Sequence, residues 1–260
     1  MIEANSPLHF SRLTPAMAVG GLLISGMAAR AADAAPAAAA TKPPEPTWET
    51  SATAGATVTR GNSKTLLFTA GLLSQKKWDQ NEARLGLDGA YGKNDTVKNT
   101  EFARLFGQYN RLFTERWYGY IRAEISHDAI ADVEYRVTVS PGAGYYLLKD
   151  EKQSLSVEVG PGFITEKLGN HEKNNYMTLR VAERYELKLN DKTRVWQSAE
   201  WLPQVDRFKN YLLNTEIGLE TQLTKKLSFR TYLQDIYDNE PVPGRKKNDL
   251  KLVSGIAYKF

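Results

Sequence analysis

Asn248-Asp249-Leu250-Lys251-Leu252-Val253-Ser254-Gly255-Ile256-Ala257-Tyr258-Lys259-Phe260, the last thirteen residues, decide how the chain reads. From Leu250 every second residue is apolar or small, and Lys251, Val253, Gly255, Ala257 and Lys259 form the alternate set. Successive side chains of a strand point to opposite faces, so this alternation predicts a strand with two unlike faces. The strand runs to the chain terminus and stops on an aromatic residue, where soluble domains usually fray into polar ones. A transmembrane barrel accounts for that, because its last strand must pair with its first to leave no edge.

Working back from this strand, the chain from Trp48 onward repeats one device, about ten alternating residues followed by a polar turn. Twelve such segments can be placed. In the fifth, Trp117, Ile121, Ala123 and Ile125 stand opposite Tyr118, Tyr120, Arg122 and Glu124. In the seventh, Leu155, Val157, Val159 and Phe163 oppose Ser156, Glu158, Gly160 and Gly162. Such a period also fits a two-sheet sandwich. Two features favour the barrel. Arginines and glutamates recur in mid-segment on the polar face, where a barrel turns them into its lumen. The connections also alternate in length: Lys76–Asn81, Phe113–Arg116, Lys149–Lys152, Asn190–Thr193 and Thr224–Lys226 are tight. Lys93–Asn99, Ala129–Glu134, Glu166–Asn174 and Asn239–Lys247 are expected to be longer loops on the other rim. Trp48, Trp78, Trp117, Tyr145, Tyr185 and Tyr258 fall near segment ends, where interfacial aromatics belong. The expected fold is an all-β antiparallel transmembrane β-barrel of about twelve strands over residues 47–260.

Residues 1–31 read as a secretory signal peptide, with an apolar core between Leu13 and Met27 and small residues at Ala29-Arg30-Ala31. Residues 32–46 are an Ala/Pro-rich linker with too little to bury for a packed core. The expected location is a bacterial outer membrane. Cysteine is absent, which excludes disulfides, thiolate metal sites and a cysteine nucleophile. Mean hydropathy is negative despite 13 Tyr, 5 Trp and 9 Phe, as expected of a barrel whose lipid-facing half is diluted by a polar lumen. The net charge of +4 is scattered, with no basic cluster dense enough for nucleic acid.

Two resemblances add to this reading. Leu252, Ile256, Tyr258 and the terminal Phe260 resemble the C-terminal signal of bacterial outer-membrane barrels. That implies barrel-assembly machinery and periplasmic chaperones as partners during biogenesis, and lipopolysaccharide-containing lipid afterwards. Gly61-Asn62-Ser63, Gly142-Ala143-Gly144-Tyr145-Tyr146, Gly160-Pro161-Gly162, Tyr237-Asp238, Pro243 and Lys246-Lys247-Asn248-Asp249 resemble the salt-induced outer membrane protein family. The resemblance spans Trp48 to Phe260 and rests on glycines and strand ends. It implies an outer-membrane barrel and carries no active-site residues.

Catalytic chemistry finds little support in the sequence. A lipid hydrolase or acyltransferase at the rim needs a Ser–His pair within hydrogen-bond reach. His127 shares the outward parity of Ile121 and Ile125, its outward neighbours on the next segment are Val137 and Val139, and Ser126 and Ser140 point inward. Asp128 and Asp132 near His127 leave an Asp/His protease constellation as the weaker alternative, and His171 is expected in an exposed loop. No metal-ligand spacing, phosphate loop or cofactor fingerprint occurs, so no cofactor is expected. The lumen is richer. Arg104, Arg122, Glu124, Arg136, Glu158, Arg180, Arg184 and Glu216 form the expected lumenal charge cluster, with Tyr118, Tyr120 and Tyr146 able to narrow it. Inward charges of the two signs nearly balance, which fits either an ion-pair network filling a narrow interior or a small-solute channel. Adhesion or receptor work is disfavoured by short loops.

Overall fold

The computed structural model describes residues 47–58, 65–169 and 173–260. They form twelve strands: β1 (Glu49–Val58), β2 (Thr65–Trp78), β3 (Asn81–Asn94), β4 (Val97–Leu112), β5 (Trp117–Asp128), β6 (Val133–Lys149), β7 (Gln153–Leu168), β8 (Lys173–Lys188), β9 (Thr193–Gln204), β10 (Arg207–Gln222), β11 (Leu227–Asp238) and β12 (Asn248–Lys259). Each pairs antiparallel with its sequence neighbours, and β12 pairs with β1 to close the barrel. The signal peptide, the linker, the Gly61-Asn62-Ser63 turn and His171 lie outside the described residues.

Side-chain parity follows the sequence pattern along most of the wall, with register shifts at both ends of β6. On β5, Trp117, Ile121 and Ile125 are exposed while Tyr118 and Tyr120 are buried in the interior. On β12, Leu252, Ile256 and Tyr258 face outward and Val253 and Ala257 inward. A closed belt of exposed Leu, Ile, Val and Phe would be an aggregation surface in water and is the expected lipid face of a barrel. On β3 the outward run from Ala83 to Tyr91, tilted as barrel strands are, covers a height of roughly 20 Å, close to the apolar band of such barrels.

With an even number of strands, the start of β1 and the end of β12 share one rim, here named the terminal rim. Its girdle includes Trp117 and Tyr145, with ring centroids 4.8 Å apart, and Tyr258 beside Phe260 at 5.1 Å. The far rim carries a second aromatic group, in which Trp201 meets Tyr211 edge-on and Tyr211 stacks on Tyr237 at 5.7 Å. Turns on the terminal rim are short and side-chain-capped. Asp150 Oδ1 accepts the N–H groups of Gln153 and Lys152, both at 2.8 Å, and these donors hold its carboxyl below the usual range.

The far rim departs from expectation. The segment Lys93–Asn99 is a continuing hairpin with only Asp95 and Thr96 between β3 and β4, and Asp95 takes a φ of 54°. Likewise β7 continues through Glu166 and Lys167, and β8 begins at Lys173. Charged residues past the apolar band keep their backbone hydrogen bonds while their side chains meet water, so ladder and polarity do not conflict. Of the expected long loops, Asn239–Lys247 is a nine-residue connection between β11 and β12.

The closing seam is short, and its two backbones run close together. The β1–β12 register holds four residue pairs, Ser51–Lys259 to Ala54–Ile256, against ten between β1 and β2. A Cβ on Gly255 would lie 2.5 Å from the Ala54 carbonyl oxygen, and one on Gly55 would lie 2.1 Å from that of Ser254. Glycine on both sides lets the two backbones approach.

A charged lumen as the candidate functional site

Four inward aromatic side chains set the shape of the lumen, and each lies over a glycine directly opposite on the next strand. Phe106 pairs with Gly86, Tyr118 with Gly144, Tyr120 with Gly142 and Trp196 with Gly218. A Cβ on Gly86, Gly144 or Gly218 would fall 2.1–2.2 Å from the ring that covers it. The glycines thus let large rings lie against the wall instead of filling the centre.

Near the terminal rim, Tyr118 and Tyr146 pack at 5.0 Å with Leu112 against them. The Tyr146 hydroxyl donates to Glu82 at 2.5 Å and Tyr118 to Glu158 at 2.9 Å. Glu158 also accepts from Gln108 and from Arg180 Nη1, each at 2.7 Å. Arg180, with its side chain only 5% exposed, donates through Nε to Glu200 at 2.5 Å, and Asn214 donates to the other Glu200 oxygen at 3.1 Å. Arg122 reaches Glu124 at 2.7 Å and approaches Glu200 at 3.6 Å. Arg104 grips Asp88 with two donors, at 2.8 and 3.2 Å.

Of the expected cluster, the fold therefore joins Arg122, Glu124, Glu158 and Arg180, with Glu200 as the acid that the two arginines share. Arg104 stands beside Arg122 over the Phe106 ring. The other three do not belong to this group. Arg184 pairs with Glu186 at 2.7 Å, and Glu216 accepts from the Trp196 indole at 2.6 Å. Arg136 sits in a separate layer toward the far rim, bound to Glu166 at 2.5 Å and to Asp238 at 3.4 Å. Parity assigns a face but not a height, so residues sharing the interior need not meet.

Of this outer layer, Glu166 lies in an expected loop, whereas Arg136 and Lys251 are on expected strands; what the sequence does not show is which partners they meet. Tyr176 donates to Glu166 at 3.0 Å, beside an apolar cluster of Ile164, Leu202 and Leu212. Lys251 reaches across to Asp128 at 2.6 Å and lies 4.0 Å from the Phe102 ring. In a ring of twelve strands, β5 to β12 and β6 to β11 are each five steps apart, so these bridges span nearly the full lumen.

Three cavities follow one another along the axis. The first, 440 Å³, opens among the terminal-rim turns and shares Arg194 and Arg230 with the second, of 310 Å³. The third, 70 Å³, shares Arg104, Arg122 and Glu200 with the second and reaches Ala131 in the far-rim turn. The charges are not evenly spread: eight basic and five acidic side chains line the first cavity, nine and seven the second, four and four the third.

At the rim, His127 Nδ1 pairs with the Glu134 carbonyl oxygen at 2.9 Å. Asp128 is engaged by Lys251 and by the N–H groups of Ile130 and Ala131. Asp132 lies 3.8 Å from Arg245. The Asp/His constellation considered from sequence is therefore not assembled among the described residues. Nor do they include three or more metal-ligating side chains grouped to hold an ion.

A family model described as "Protein of unknown function, DUF481" matches residues 52–260. The chain belongs to this family. No curated protein matches it. Among solved structures, this DUF481 barrel is similar to the NanC porin, with a TM-score of 0.51, 7% identity and coverage of 82% of this chain and 100% of that one. The KdgM porin matches at a TM-score of 0.46 and 7% identity, covering 82% and 99%. The translocator domain of the autotransporter NalP from Neisseria meningitidis matches at 0.45 and 15% identity, covering 82% and 87%. The fold is that of porin-like outer-membrane β-barrels.

Proposed function

We propose that this DUF481 protein is a permeability barrel of the bacterial outer membrane, offering a narrow path to small solutes. The terminal rim faces the periplasm in this reading, as short turns and both barrel ends do in such proteins. The observation that carries it is the chain of cavities from rim to rim, narrowed at the far end to 70 Å³, room for only a few water molecules. What narrows it is side chains, chiefly the Lys251–Asp128 bridge with Arg136 beside it, whose charges can exchange partners with water or a passing ion. Leu252, Ile256, Tyr258 and Phe260 lie exposed on the outer face of β12, where assembly machinery and then lipid can reach them.

The test is planar-bilayer conductance of the refolded barrel, comparing the native protein with the double variant Lys251→Ala/Asp128→Ala, which removes both charges and leaves neither orphaned. Small discrete steps that grow in the double variant support the reading. Steps of unchanged size would move the constriction elsewhere. Silence from protein shown to be folded in the membrane would sink the pore and leave a barrel stiffened by its packed lumen.

A further inference from the structure

Arg84 on β3 is the unexplained charge of the lumen. It forms no ion pair with any described residue, and its Nε is buried without a hydrogen-bond partner. It borders the 310 Å³ cavity. The acids of the same cavity wall are already engaged, Glu186 by Arg184 and Glu216 by the Trp196 indole. Three guanidinium groups surround the ring of Phe106: Arg122 at 4.8 Å, Arg104 at 5.5 Å and Arg84 at 5.9 Å from its centroid. Arg104 and Arg122 have carboxylate partners in Asp88 and Glu124, whereas Arg84 has none.

An unpaired guanidinium away from bulk water is costly unless an anion comes to it. The fork of donors on arginine matches the oxygens of a carboxylate or phosphate. A cavity of 310 Å³ is at the small end of ligand sites. The access route suits an anion as well, since the excess of basic over acidic side chains rises toward the terminal mouth. We infer that Arg84, with Arg104 and Arg122 held on Phe106, forms a binding site for the oxyanion group of a small solute entering from the terminal rim. Phe106 is the platform: it lies flat over Gly86 and holds three mutually repelling cations near one ring. Its apolar face also offers contact to the carbon skeleton of an organic anion.

The physiological meaning rests on the permeation reading above, but binding is measured without conduction. Isothermal titration of the detergent-refolded protein uses inorganic phosphate as one probe and acetate as the other. The expected result is saturable binding of one anion per barrel that weakens as sodium chloride rises. Arg84→Met should weaken it by about tenfold or more, Arg84→Lys by less, and Arg111→Gln, on the exposed outer face, not at all. Heat-dependent gel migration verifies that each variant remains a closed barrel. No saturable heat from the native protein into the tens of millimolar, or equal binding by folded Arg84→Met, overturns the site. Either failure leaves the conductance test untouched, and binding by a protein that does not conduct would reject the pore while keeping the site.

Discussion

Arg180 offers the most demanding test of how dry the lumen is. Its guanidinium bridges Glu158 and Glu200, whose side chains are 10% and 16% exposed. Replacing it by Met keeps much of the volume and removes the cation, leaving two carboxylates on neighbouring parts of the wall. Breaking a buried pair by deleting one partner costs about 3–5 kcal/mol, mostly because a charge is left uncompensated. Glu158 would keep its bonds from Gln108 and Tyr118, and Glu200 would keep Asn214 with Arg122 nearby, so the expected loss is near the lower end, about 3 kcal/mol. That corresponds to roughly a hundredfold in the folded-to-unfolded ratio. The assay is denaturant unfolding of the barrel in lipid vesicles, reading the transition midpoint and slope. The triple variant Arg180→Met/Glu158→Gln/Glu200→Gln should recover about 2 kcal/mol, because neutral amides need no counter-charge. A loss below about 1 kcal/mol for Arg180→Met, the range of exposed ion pairs, would refute the reasoning. Water would then be screening this layer and the lumen would be wetter than its geometry indicates.

Two further outcomes follow from the wall and the turns. Gly255→Val puts a side chain into the Ala54 carbonyl at the closing seam, so little protein should acquire the heat-dependent gel mobility of a closed barrel. Gly71→Ala is the control, as its added Cβ meets nothing closer than 3.5 Å. At the Asp150 turn, the folded carboxyl titrates below its unfolded value. Its contribution is therefore present above the usual carboxylate pKa and is lost as pH falls through the lowered one. The stability gap between native protein and Asp150→Ala should close on acidification below about pH 4 and stay constant from pH 5 to 7; a gap that widens in acid contradicts the assignment.

The wall was legible in the sequence because a two-residue period and a lipid exterior constrain every position. Even β9, least regular in its pattern, turns Trp196 and Leu202 inward and Trp201 outward. Strand ends were not legible at the far rim, since Lys93, Lys98, Glu166 and Lys173 look like loop once the apolar alternation stops. The lumen was legible only as a list of inward residues. Asp128 and Lys251 are separated by 123 positions, and their meeting depends on strand stagger and the width of the barrel, neither of which leaves a local signature. The isolation of Arg84 is likewise invisible until the heights of Asp88, Glu186 and Glu216 are known. The near balance of inward charge concealed a gradient for the same reason.

The rings laid over glycines carry a consequence for how such a sequence can drift. Each aromatic–glycine couple fills a fixed volume shared between two strands, so neither member can change freely. A larger residue at Gly86 must evict Phe106, and a smaller one at Phe106 leaves a hole over bare backbone. The permitted move is an exchange, with the ring migrating to the opposite strand and the glycine taking its place. Related chains should therefore record these positions as compensated pairs, and an exchanged couple at 86 and 106 would carry the cationic platform from one strand to its neighbour.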